Sequence, residues 1–433
     1  MRWLYRLAAA ALTAVLLRGC GEQPPTGGPA TTRRAPDHPV PDREASGPAR
    51  QSVDEILALP YAGWVQEDMA TADGLVFCDQ ARSYAGYTLF TVRKLAGALL
   101  VDHAGAVVHQ WRDPDAREWQ HVELLPGGEL LVIGVERQGG ADTGNDEQIA
   151  DADRYLMRLG WEGAVQWKRR LPVHHAVAPT PDGNLMVLAF QRRRLPAVHP
   201  TADVRDDMIM LLTPQGDLVG QMSFYDTVRR RPDAFPLLRN PVTQLGKEPW
   251  VDLFHANSLE WMHHRHLFER HPLYGPDNVL VCFRHQHRIA VFDMRRGEVV
   301  WAWGLREVSA PHDAQVLEDG RILLFDNGVN RGWSRVIEVD PLSGQIVWEF
   351  KAPTPTDFYT ASRGSAQRLP NGNTLIANSD SGEIFEVTRD GDVVWRYLCP
   401  ERNERGQRAT IVRARRFENA FIERLLARTP AAP

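Results

Sequence analysis

Histidines and arginines gathered at the ends of short β-type runs are the residues of this chain best suited to chemistry. Between DLFHANSLEW and HDAQVLEDGRILLFDNGVNR, residues 252–331, stand His255, Arg284, His285, His312 and Arg331. A guanidinium stays charged and offers a fork of donors to an oxyanion. An imidazole changes charge near neutrality and can carry a proton. Together they suggest a site that grips sulfate, phosphate or carboxylate and moves a charge. His175, in HHAVAPTPDG, occupies a comparable place, as do Gly364 or Ser365 in GSAQRLPNG and about Gln120 or His121. A salt bridge stitching neighbouring elements is the plain alternative for Arg284 and Arg331. The HHRH run at 263–266, His271 and the RRR runs at 192–194 and 229–231 read as solvated loop charges.

Such strand ends need a frame that brings them together, and an internal repeat supplies it. Turn glycines are each followed by a short apolar run: GAVVHQW from Gly105, GAVQW from Gly163, GDLVGQM from Gly216, GEVVWAW from Gly297, GQIVWEF from Gly344 and GDVVWRY from Gly391. At the fourth residue after the glycine stand Trp167, Trp301, Trp348 and Trp395, with His109 and Gly220 as exceptions. Between these runs lie LLPGGELLVIG, PTPDGNLMVLA, GPDNVLVCFR, VLEDGRILLFD and RLPNGNTLIAN. Each of these reads as strand, tight turn, strand.

Strand–turn–strand units with a period of about 40 to 50 residues are the mark of propeller blades. The expected fold is all-β: a six-bladed β-propeller over residues 61–400, with a short C-terminal helical tail. In that tail, residues 401–433, RRFENAFIERLLART has the spacing of one amphipathic helix packed on the propeller. A tryptophan at one register per blade fills the wedge between neighbouring sheets. A pair of β-sandwiches, the other fold for many short strands, gives tryptophan no reason to repeat in register. In a propeller the inner strands line the channel, so their first residues form a ring at one mouth. His175, His255 and His312 then become neighbours.

Composition bounds what this site can serve. The chain has 433 residues, 43% of them apolar and 24% charged, as in ordinary globular proteins. A formal net charge of −5 and the lack of a basic stripe argue against nucleic acid as a partner. At the N-terminus Arg2 and Arg6 precede an apolar run from Leu7 to Leu17, too short to span a bilayer but suited to a signal peptide over residues 1–20. Leu17-Arg18-Gly19-Cys20 resembles a lipobox, with Cys20 as the lipidated residue and Arg18 as a departure. The expectation is an exported periplasmic or cell-envelope protein, touching membrane only through that anchor. An ordinary cleaved signal or an uncleaved anchor is the alternative. Residues 21–60, rich in Pro, Gly and Ala, read as a flexible tether. No C-x-x-C pair offers a thiolate zinc site. Cys78 and Cys399 flank the globular part, and spacing alone leaves their pairing open.

At the quoted residues the chain resembles the bacterial arylsulfotransferases, which are exported six-bladed propellers. FHANS, RHQ and FDNG…R carry the likeness together, over most of residues 61–420. It implies transfer of sulfate from an aryl sulfate to a phenol without a nucleotide donor and without a cofactor. It also implies catalytic roles for His255, His312 and Arg331, and substrate contacts from Arg284, His285, His175, Asn257 and Asn327. The family's sulfate-accepting histidine falls in SDSGEIFEV, where this chain has Glu383. A carboxylate is a poor substitute for that nucleophile, since its charge repels a sulfate ester. Transfer by another nucleophile such as His175 or His312, or directly between two bound phenols, remains open. So do a non-catalytic module for an anionic or aromatic ligand, and a metal held by the histidine ring.

Overall fold

The computed structural model describes residues 52–58, 61–66, 72–137, 151–238, 242–245 and 248–428. The chain divides into residues 1–50 and a compact unit from Gln51 onward. The signal, Cys20 and most of the tether therefore lie outside the described residues. No helix of the described residues is long and apolar enough to cross a membrane.

Six sheets form the blades of one β-propeller. From its inner strand outward, blade 1 is Ile411–Phe417, Tyr87–Val92, Gly97–Val101 and Val107–Arg112. Blade 2 begins with Ala116–Leu124, blade 3 with Val173–Pro179 and blade 4 with Ala256–Trp261. Blade 5 begins with His312–Val316 and blade 6 with Ser365–Arg368. The strands are short runs rich in Val, Ile, Leu and Phe, and those in the middle of each sheet are buried on both faces.

Closure of the ring uses both flanks of the repeat. The strand Ile411–Phe417 completes blade 1 on the inside, while Gly74–Cys78 forms the outer edge of blade 6. A propeller range ending at 400 is therefore too short. In IVRARRF small apolar residues alternate with arginines, so the stretch pairs as a strand, and only Asn419–Leu426 is helical. Ile422 and Leu425 of that helix are buried against blades 1 and 2. Across the seam, buried Arg416 pairs with buried Glu386 of blade 6, and its guanidinium lies 4.3 Å over the Trp395 ring. Losing one partner of a buried pair costs roughly 3–5 kcal/mol. Cys78 and Cys399 are both free thiols, so no bridge adds to the closure.

The tryptophan register has a second role besides filling wedges. Trp111 donates its indole N–H to the Trp161 carbonyl, Trp167 to Pro214, Trp348 to Arg389 and Trp395 to His103. Each carbonyl belongs to a turn of the following blade, the last returning from blade 6 to blade 1. In blades 1 and 4 the donor stands two residues past that register, as Trp111 and as Trp303, the latter bonded to Gly344. Each staple is worth about 1 kcal/mol beyond the area it buries.

Two local features aim side chains at a common point. The inner strands of blades 2 to 5 each carry a register shift near their start. Such a bulge interrupts the ladder and redirects the side chains there. His175 and His255 accordingly have left-handed backbones, with φ of 56° and 50°. For non-glycine residues this costs roughly 1–3 kcal/mol each and persists only where the surroundings enforce it. The second feature is in blade 3, where Glu248–Asp252 runs parallel to Asp203–Leu212 with Asp252 opposite Arg205. That strand delivers Asp252 just before the chain crosses to blade 4 at His255.

Candidate functional site

The group at the centre of the site is a phenol that no motif pointed to. Ser52 and Glu55 cap a helix over Val53–Ala58 by exchanging side-chain and backbone bonds. Val53, Ile56 and Leu57 pack on Ala310 and Val329 of blade 5, so the end of the predicted tether is docked on the propeller. Arg284 of blade 4 donates to the Leu57 carbonyl at 2.9 Å, satisfying an end of that helix. Beyond Tyr61 the chain is tied again, by Val65 N–H to the Arg408 carbonyl and Thr410 N–H to the Gly63 carbonyl. Held on both sides, Tyr61 is buried with its hydroxyl 2.7 Å from Nε2 of His255 and 3.4 Å from Nε2 of His312.

Hydrogen-bond partners assign the proton positions around it. His255 Nδ1 lies 2.6 Å from Asp252 Oδ2, a pure acceptor, so Nδ1 carries the hydrogen and Nε2 offers its lone pair. His312 Nδ1 faces two oxygens, Asn327 Oδ1 at 2.7 Å and the Ala310 carbonyl, and must also donate. Asn327 is fixed in that orientation because its amide nitrogen bonds the Thr360 and Arg363 carbonyls. His174 gives its Nε2 hydrogen to the Ala189 carbonyl, so its Nδ1 accepts from His175 Nδ1 at 2.8 Å. All three ring members, His175, His255 and His312, are thus left with an acceptor Nε2. The Tyr61 hydroxyl has one hydrogen, and the shorter contact assigns it to His255.

Three arginines surround this phenol. The guanidinium carbons of Arg284, Arg363 and Arg93 lie 5.5, 5.5 and 5.7 Å from the Tyr61 ring centre. They come from blades 4, 6 and 1. Glu118 pairs with Arg93 at 2.9 Å, and Asp380 with Arg363 at 3.1 Å. Burial pushes the Tyr61 hydroxyl up to about 12, outweighing the opposing pull of Arg284 and Arg363. His175 and His312 are held far below the usual imidazole range, chiefly by burial and then by neighbouring positive charge. Asp252 is also shifted down, but for the opposite reason. Burial alone would raise its carboxyl, but His255 and Arg205 hold it well below the carboxylate range.

The remaining expected residues divide into supports and outliers. His285 donates Nδ1 to the Asp252 carbonyl at 2.8 Å, lies 2.9 Å from Arg284 Nη1, and sits 4.6 Å ring to ring from His255. Asn257 ties blade 4 to the Pro311 carbonyl just before His312. Arg331 is turned to its own blade: Nη1 pairs with Asp326 at 2.9 Å and the guanidinium stacks 4.3 Å over Trp333. Its short reach through the DNGVN turn explains the pairing, and this is the plain alternative raised from the sequence. Glu383 opens the third strand of blade 6 and pairs with Arg396 at 2.9 Å. What blade 6 sends to the ring is Arg363. The next residue, Gly364, has φ +99° and would put a Cβ 2.7 Å from the Phe325 ring. Asp252, His255 and His285 hold ligand-type atoms within 4.8 Å of one another. Arg284 lies on His285, and Arg205 is 3.9 Å from Asp252.

Residues 155–399 match the sequence profile of the arylsulfotransferases (ASST). The chain belongs to the arylsulfotransferase family. The matched stretch contains Asp252, His255, Arg284, His312 and Arg363, while Tyr61 and Arg93 lie outside it. None of the curated proteins matches the chain. Among solved structures, a protein of unknown function from Bacteroides caccae is similar at 14% identity and a TM-score of 0.47, over 76% of this chain and 98% of that one. Virginiamycin B lyase from Staphylococcus aureus is similar at 13% identity and a TM-score of 0.39, over 78% and 88%. Arylsulfotransferase membership makes a transferase the coarse functional assignment.

Proposed function

We propose that this arylsulfotransferase passes sulfate from an aryl sulfate to a phenol at the channel mouth, with His255 as the base and without a nucleotide donor. The carrying observation is the line Asp252–His255–Tyr61, in which a phenolic hydroxyl already rests on an imidazole oriented by a carboxylate. In this reading the Tyr61 ring marks the acceptor's place. The acceptor oxygen attacks sulfur as the S–O bond to the leaving phenol breaks. His255 Nε2 takes the acceptor's proton, and Asp252 stabilises the imidazolium that forms. That proton then passes to the departing phenolate. Arg284 and Arg363 hold the sulfuryl oxygens, where charge builds in the transition state. No residue of the chain needs to be the family's sulfate-accepting histidine, because transfer is direct.

The test is product analysis with the full chain, 4-nitrophenyl sulfate and a second phenol, in buffer free of nucleotide. The expected outcome is 4-nitrophenol together with the sulfated second phenol. Release of inorganic sulfate in place of that product would make the protein a hydrolase and overturn the reading. We further propose export and anchoring through Cys20, supported by Arg2, Arg6 and the apolar run to Leu17. Membrane-fraction protein that turns soluble on Cys20→Ala is the expected result.

A further inference from the structure

The arm that carries Tyr61 does more than fill space. It is capped by Ser52 and Glu55, docked on blade 5, gripped by Arg284, and paired again beyond Gly63. All of this fixes one atom, the Tyr61 hydroxyl oxygen, on the acceptor nitrogen of an Asp–His pair. His255 keeps 14% of its side chain exposed, so the pair opens to solvent on one side. Buried Arg284 Nε has no hydrogen-bond partner among the described residues, although its ζ-carbon is 5.5 Å from the Tyr61 ring. An unsatisfied guanidinium N–H beside a phenol on its base is the local chemistry of an incoming sulfate ester.

We propose that Tyr61 is itself a sulfate acceptor of this site, so that the protein sulfates its own N-terminal arm. The inference rests on the sulfotransferase reading above and adds the identity of one acceptor. In the step, the Tyr61 oxygen forms a bond to the donor's sulfur as the sulfur–oxygen bond to the leaving aryl group breaks. The Tyr61 proton moves to His255 Nε2 and then to the departing phenolate. One aryl sulfate and one tyrosine give one phenol and one tyrosine O-sulfate, with no oxidant or cofactor required. Proximity favours this acceptor, since a hydroxyl already seated on its base does not lose the entropy of binding.

The experiment is incubation of the full chain with 4-nitrophenyl sulfate, first without and then with a free phenol, followed by intact-mass and peptide analysis. The expected result is one added SO3, mapped to Tyr61 and matched by a burst of one equivalent of 4-nitrophenol. The Tyr61→Phe variant should show neither adduct nor burst. Sulfated free phenol from wild type with Tyr61 unmodified would overturn the inference and leave the sulfotransferase reading intact. An adduct on any other residue would overturn it as well. No 4-nitrophenol from wild type, with or without the free phenol, would overturn both.

Discussion

Asp252 Oδ2 and His255 Nδ1 are 2.6 Å apart although they belong to different blades. Asp252 ends a parallel strand on the flank of blade 3, and His255 begins the turn into blade 4 with a left-handed backbone. The strain at His255 is therefore spent on presenting Nδ1 to the carboxylate and Nε2 to Tyr61. Backbone strain enforced at a site is expected where pre-organised geometry serves function. The charges agree with the geometry: a carboxylate held ionised behind an imidazole, with guanidiniums beyond the phenol.

Replacing Asp252 with Asn should lower kcat by roughly 100-fold or more with KM nearly unchanged, because the imidazolium loses its stabilising charge. The loss should grow as acceptor phenols become weaker acids, since acidic phenols need less help from a base. Rates over a series of substituted phenols check this. A uniform loss across the series would assign Asp252 a structural role only.

Stability should depend on pH through the buried imidazoles. Burial, ahead of neighbouring charge, pushes His174 down to about 4 and His285 to about 3, and holds His175 and His312 far down as well. The unfolded chain takes up protons near pH 6.5 while the folded chain resists them, so stability rises with pH below that point and levels off above it. Each such histidine adds a slope of up to about 1.4 kcal/mol per pH unit between its folded and unfolded values. Urea midpoints should fall between about pH 7.5 and pH 5.5, and fall less in His312→Gln. Equal midpoints would show that these rings are solvated.

Much of the fold was legible because a propeller repeats itself. The turn glycines and in-register tryptophans announced blades, and the strand starts announced a ring containing His175, His255 and His312. What escaped lies outside the repeat. Tyr61 is a single aromatic following a Pro/Gly/Ala stretch, and nothing in YAGW indicates that it folds back onto His255. Asp252 stands three residues before His255 in DLFH, and among the described residues the parallel strand carrying it has no counterpart in other blades. Arg363 was hidden by the adjacent glycine, which occupies the register where other blades place histidine. Glu383 and Arg331 show the opposite error. They stand at motif positions in the sequence, and the structure engages them in ion pairs with Arg396 and Asp326.

That placement makes two substitutions informative together. Glu383→Gln should leave turnover within about twofold of wild type, since an ion pair with an exposed arginine is worth about 1 kcal/mol or less. Arg331→Ala should lower the melting temperature, because Asp326 is buried and loses a charge partner, while KM for the aryl sulfate stays near wild type. Steady-state kinetics and thermal unfolding on the same preparations settle both. A folded Arg331→Ala protein with unchanged melting temperature and collapsed kcat would return that arginine to the chemistry.

The most direct measurement is turnover of 4-nitrophenyl sulfate with a weakly acidic phenol by wild type and by His255→Ala, each shown to be folded. Loss of a general base predicts a fall in kcat of about 10²- to 10⁴-fold in the variant. Wild-type turnover that survives His255→Ala would contradict the account, as would a folded wild type that transfers no sulfate.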